Sequence, residues 1–186
     1  MPKQRITKEM VVEAAFELAR TGGMEQVIVK NIAQKLGCSV QPIYSYCQSM
    51  EGLRKDVVGR ASRFIQEYIA SHIDSSDFFR STGHAYIQLA KEEPHLFQLF
   101  VLKKRKHIRA LTDLYQAEAN PEAAVTIAET LQISLSQAKA LHLHMLIYTV
   151  GIGTILATTD SGIPEEEITS QLELAYQAFL RQALEQ

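Results

Sequence analysis

Apolar positions recur at helical spacing along almost the whole chain, interrupted by Gly, Pro and short polar clusters. Val29, Ile32, Ala33 and Leu36 stand at i, i+3, i+4 and i+7 and predict a short helix with one apolar stripe. Gly37 ends it, as a glycine just past a helix end commonly does. Ser39 is placed to cap a second short helix, whose Ile43 and Cys47 point back toward the first. Two helices of about two turns joined by a Gly-containing turn predict a helix-turn-helix. That geometry holds a short helix rigidly, with its outer face shaped for a DNA major groove.

The same patterning organises the rest. Thr7 caps a first helix over residues 8–20, with Val11, Ala15 and Leu18 inward, Ala14, Phe16 and Ala19 beside them, and Thr21-Gly22-Gly23 as its end. Ser49 precedes a long run over residues 50–73 that is able to join a head to a body. Further helices are predicted over 77–92, from Pro94, over 108–118, from Pro121 to about 132, from Ser134 or Ser136 onward, and from Pro164 to about 184. Asp160-Ser161-Gly162 reads as a turn. This is an all-α chain of about nine helices with no convincing strand. It divides into a helix-turn-helix head over residues 1–48 and a larger helical body over 49–186.

Composition supports a packed core: 46% of the 186 residues are hydrophobic, and only 5 Pro and 9 Gly interrupt them. The net charge of −2 is unevenly spread. Residues 1–60 hold nine Lys or Arg against six Asp or Glu, so the front is +3 and the remainder −5. A basic front on an acidic back suits a polyanion-binding head. Cys38 and Cys47 lie on adjoining short elements and read as buried thiols of a reducing interior. The opening MPKQRITKEM has no apolar core, which argues against a signal peptide and for a cytoplasmic protein. Residues 140–159 lack any Asp, Glu, Lys or Arg and are long enough to span a bilayer. Their His142, His144, Tyr148, four Thr and two Gly favour a helix buried in protein instead, with no membrane partner.

The combination of an Ala-rich first helix ending in Gly-Gly, then KNIAQKLGCS, then IYSY, then SMEGL resembles the TetR family of bacterial one-component regulators. The resemblance is strongest over residues 7–57. Further on, AYIQLAKEEPHLFQLF and MLIYTVGIGTILAT are similar to the body of one broad subgroup. It implies an all-α homodimer with a three-helix DNA-binding head, an effector pocket in each body, no cofactor, and a four-helix bundle made by the last two helices and their twins. There are departures. Met50 stands where the family usually has a phosphate-touching Lys, Cys47 where Phe is frequent, and Val27 and Ile28 where Thr or Ser caps the second helix.

Transferred by position, Ser39, Val40, Gln41, Pro42 and Ser45 belong to the DNA-facing set, with Met50 at its edge. A Gln amide pairs with adenine, and apolar side chains pack on a thymine methyl. Val40 also has helical spacing to Ile43 and Cys47, which leaves a core role open. Tyr44 and Tyr46 would bind phosphates, Tyr44 partly packed on the head; Lys30 and the arm of residues 3–8, Lys3 included, are further phosphate candidates.

Phe64, Tyr68, Phe78, Phe79, Tyr86, Phe97, Phe100 and Tyr148 are candidates to line the effector pocket, with His84, His142 and His144 as its polar groups; core packing is the alternative for each. Gly151 and Gly153 sit in an apolar helix where each costs about 1 kcal/mol against Ala. Close helix approach would explain them, either across a dimer seam or within one subunit. Leu172, Ala175, Phe179 and Leu184 of the last helix are offered to the same seam. The run Lys103-Lys104-Arg105-Lys106 reads as a helix C-terminus, where cations are favoured, or as a second nucleic-acid site.

No nucleophile–base set, Gly-rich phosphate loop or metal-ligand spacing is present, so the chain reads as a non-enzyme. The expected partners are a palindromic double-stranded operator, a second copy of the chain and a small hydrophobic or aromatic effector that releases a repressor. The alternative is the same fold with a head that binds a protein.

Overall fold

Thr7 opens the first helix by accepting a hydrogen bond from the Met10 amide, so the chain enters α1 (Lys8–Gly22) with one of its free amides satisfied. A computed structural model describes residues 6–47, 49–160 and 162–185. Lys3 of the proposed basic arm and Ser161 of the proposed turn lie outside them.

Among the described residues ten α-helices follow one another: α1, α2 (Val29–Leu36), α3 (Gln41–Tyr46), α4 (Met50–His72), α5 (Phe78–Glu92), α6 (Pro94–Val101), α7 (Leu111–Glu118), α8 (Pro121–Leu131), α9 (Leu135–Thr158) and α10 (Glu165–Leu184). Among the described residues there is no strand. The fold is all-α, as the patterning predicts.

Helix starts are chemically marked. Ser49 caps α4 through the Gly52 amide, and Asn120 caps α8 with Pro121 in the first turn. Ser134, not Ser136, caps α9, completing a reciprocal box with Gln137. At the end of α6, Arg105 donates to the Val101 carbonyl at 2.9 Å. Its basic neighbours thus mark a helix C-terminus, as cations there favour. Lys103 and Arg105 are also paired with the nearly buried Glu118, at 3.0 and 2.8 Å.

The head core gathers Val11, Ala15 and Ala19 of α1, Val27, Ile32 and Ala33, and Ile43 and Cys47 around α3. Leu53 and Val57 of α4 complete it. The body core begins one turn later on the same helix, at Ala61, Ile65 and Ile69. The two packing clusters therefore meet on α4, so one long helix contributes to head and body alike. Phe16 crosses between them. It sits on α1 yet packs with the body cluster, 5.7 Å from the Phe64 ring.

In the body, α9 runs against α5, α6, α8 and α10. Its length and apolarity would suffice to cross a membrane, but its four neighbours give it the place of a core helix. It is nonetheless incompletely covered. Ile147, Gly151 and Ile155, at i, i+4 and i+8, stay exposed along one side.

Candidate functional site

The helix-turn-helix is built as a rigid presenter. Gly37 takes a left-handed conformation (φ 63°, ψ 33°), and Cys38 donates to the Ala33 carbonyl at 3.0 Å, closing α2 with the glycine cap its sequence predicts. No side chain caps the start of α2, where Val27 is spent on the head core and Ile28 is the capping residue. Ser39 does not cap α3 either. The turn runs one residue further, Val40 takes the capping position, and Pro42 supplies first-turn preorganisation in place of a side-chain bond.

α3 divides cleanly into two faces. Ile43 is fully buried and Cys47 nearly so, and they fix the helix against α1 and α2. Burial raises the Cys47 thiol pKa, and both cysteines are free. Outward stand Ser39, Val40, Gln41, Tyr44 and Ser45, all exposed. Val40 is 45% exposed, which overturns a core role for it. The two tyrosines exchange the expected parts: Tyr44 is 62% exposed and free of the head, whereas Tyr46 is half-buried against the head core. The reason is helical phase, since Tyr46 lies three residues after the buried Ile43. Pro42 is half-buried, Lys30 is exposed at the start of α2, and Met50 is half-buried against the head core.

A cavity of about 520 Å³ opens in the body between α5, α9 and the α6–α7 region. Phe79, Tyr86, Phe97 and Phe100 line it, together with Phe78, His84 and His142. Phe64, Tyr68, His144 and Tyr148 do not, and each is used elsewhere. Phe64 lies at the head–body junction beneath the Arg20 guanidinium, 4.8 Å from ring to cation. Tyr68 donates to Glu92 at 2.6 Å and stacks on His72. That bond, first among the causes, holds the Glu92 carboxyl below the usual carboxylate range. His144 and Tyr148 face α10, at 5.0 and 6.3 Å from the Phe179 ring.

The cavity's charged side chains are matched to one another. Arg80 lies 3.2 Å from Glu173 and 4.5 Å above the Tyr176 ring. Arg105 pairs with Glu118. His142 is bound through Nδ1 to the Tyr115 hydroxyl at 2.9 Å and meets Phe79 edge to face. Burial depresses its pKa, so the ring is neutral near pH 7.

The residues offered to a dimer seam separate. Gly153 packs inside the subunit: a Cβ there would run into the Phe97 ring. Leu172 and Ala175 are buried within the chain, Leu172 against Ile87 and Ile168, and Phe179 is half-buried in the α8–α9–α10 cluster. Gly151 is open, with nothing within 4 Å of an added Cβ, and Leu184 near the end of α10 is exposed as well. The uncovered apolar positions of these two helices that sequence periodicity missed are Leu135, Ile147 and Ile155 on α9 and Leu174 on α10. An all-round apolar helix gives no sequence clue to which side is left bare.

No family model matches the chain. It is 22% identical over 186 residues to a Bacillus subtilis (strain 168) protein described as the uncharacterized HTH-type transcriptional regulator YobS, an alignment covering 96% of this chain and 93% of that one. The match runs through head and body alike, so the chain resembles a transcriptional regulator along its length and not only at the helix-turn-helix.

Proposed function

We propose that the chain is a DNA-binding transcriptional regulator of TetR type that acts as a homodimeric repressor and is released by a small, mainly apolar effector in the body cavity. The observation that carries this reading is α3. Its buried side is locked by Ile43 and Cys47, while Val40, Gln41, Tyr44 and Ser45 stand together in solvent with no intramolecular packing to serve. An exposed Val beside a Gln and a Tyr on a fixed helix suits a thymine methyl, an adenine edge and a phosphate in turn.

The bare stripe of Ile147, Gly151 and Ile155 supports a dimer through α9, with exposed Leu174 of α10 as a further contact. A two-fold pair would set two copies of α3 about one DNA turn, roughly 34 Å, apart on a palindrome. The effector would favour the dimer with another head spacing, and only by binding that state more tightly. The chain acts by binding, without turnover.

The test is fluorescence anisotropy with duplexes from upstream of its own gene, across a salt series. Sequence-dependent binding that weakens steeply with salt is expected. Equal affinity for every duplex, or none, overturns the proposal.

A further inference from the structure

Thr149 is the one buried uncharged polar residue among those described, 7% exposed in the middle of α9, and it lines the body cavity. Threonines inside helices usually return their hydroxyl to the carbonyl one turn back. Thr82 does so with Phe78 at 2.7 Å, Thr154 with Val150 at 2.7 Å and Thr158 with Thr154 at 2.6 Å. The Thr149 hydroxyl makes no such bond and has no side-chain or backbone partner among the described residues. It is turned instead toward Gly83 on α5, whose added Cβ would lie 3.9 Å from Oγ1. Gly83 itself lines the cavity, and its lack of a side chain leaves the Thr149 hydroxyl on the cavity wall without a neighbouring side chain from that position.

Two further donors belong to residues that line the same cavity. His142, two helical turns before Thr149 on the same face of α9, spends Nδ1 on Tyr115 and leaves Nε2 without a protein partner among the described residues. Arg80, one turn before Gly83 on α5, has a buried Nε–H with no acceptor. Yet the site offers no net charge. Its two guanidinium groups are held by Glu173 and Glu118, and burial keeps the imidazole neutral. An anionic ligand would compete with those carboxylates, and a cationic one with those arginines, each at the cost of an existing pair.

We infer that the cavity selects an uncharged, largely apolar ligand carrying a single hydrogen-bond acceptor of carbonyl type, which the Thr149 hydroxyl receives. This rests on reading the cavity as the effector site and adds the ligand's chemistry to it. The apolar walls take the body of the ligand. Thr149 fixes its orientation, because leaving a buried hydroxyl unpaired is what a ligand without an acceptor would do.

Four naphthalenes substituted at the same ring position test it by calorimetry on the full-length protein: acetylnaphthalene, its isopropenyl isostere, naphthoate and naphthylethylammonium. The ketone is expected to bind tightest, roughly three- to tenfold above the olefin, with both ions weaker than the olefin. Thr149→Val should bring the ketone down to the olefin and leave the olefin unchanged, while Thr149→Ser keeps the ketone's margin. Tightest binding by either ion overturns the inference, and so does a ketone margin that survives in Thr149→Val. In both cases the cavity still binds and the effector reading stands. Failure of all four on the wild-type protein removes both.

Discussion

Arg20 and Glu93 join the head to the body. The guanidinium of Arg20, on the last turn of α1, donates through Nε to both carboxylate oxygens of Glu93 at 2.9 Å, and its Nη2 reaches Oε1 as well. Glu93 is 8% exposed and sits where α5 ends and α6 begins; its own amide closes α5 on Leu89, and its carbonyl accepts from Phe97. Phe97 lines the cavity. One residue therefore touches the DNA-facing unit through its side chain and a cavity wall through its backbone. Phe64, packed against Phe16, lies under the Arg20 guanidinium.

Glu93→Gln keeps the shape and removes the charge. The part-buried guanidinium then loses its counter-ion, for a loss of about 1–3 kcal/mol in urea-induced unfolding. Because the pair spans the two units, the variant should also show a smaller effector-induced change in operator affinity than the wild type. A variant as stable as the parent, with the effector response intact, would show the contact to be incidental.

Two glycines of α9 separate sharply. Gly153→Ala pushes a methyl into the Phe97 ring and should cost about 1–3 kcal/mol, with the cavity reshaped by the displaced ring. Gly151→Ala meets nothing within the subunit and restores helix propensity of about 1 kcal/mol. Thermal melts at low concentration, where the single subunit dominates, should move in opposite directions for the pair.

The uncovered side of α9 gives the dimer its own check. Ile155→Glu places a charge at the C-terminal end of the bare stripe, on a side chain 53% exposed in the single subunit. The folded subunit should tolerate it, while sedimentation velocity should show the dimer replaced by monomer. A dimer of undiminished stability would place the seam elsewhere.

Much of this architecture is legible in the sequence because its cues are local. Thr7, Ser49, Asn120 and Ser134 each cap the helix that follows, and Gly37 ends α2 in the left-handed conformation its position demands. The outward face of α3 follows from the phase of Ile43 and Cys47. What periodicity does not carry is the choice between surfaces that are equally apolar. Phe64 and Phe97 read alike along the chain, yet one serves the head–body junction and the other the cavity. Gly151 and Gly153 differ only in which neighbour each faces, about 200° apart round the helix. Ser39 misleads because the capping site moved by one residue, which Pro42 in the first turn makes tolerable.

Met50, at the edge of the surface proposed to face DNA, is half-buried on the head core at the first position of α4. Met50→Lys can keep its stem on that core while the ammonium reaches outward. Operator affinity should rise, and the slope of log K against log salt should steepen by about one unit, the signature of one added phosphate contact. Anisotropy titrations between 50 and about 200 mM salt resolve such a change. An unchanged slope would mean that this end of α4 does not approach the backbone of the duplex.

His142 sets the pH dependence of the body. Burial lowers its pKa below the ordinary imidazole value of about 6.5, so the folded chain binds fewer protons at this ring than the unfolded chain does. Stability from this group is fully present above the unfolded value and is lost as pH falls through the folded one. Carboxylates with lowered pKa, Glu9, Asp74 and Glu92, act in the same direction but at lower pH. Between pH 7.5 and about 5.5 the urea midpoint should therefore fall mainly through His142. In His142→Gln, whose amide oxygen can still accept from the Tyr115 hydroxyl, the midpoint should be lower at neutral pH yet change less across that window. Parallel profiles for the two proteins would show that the ring is charged or unstrained in the folded state, and a neutral donor could then no longer be assigned to that wall of the cavity.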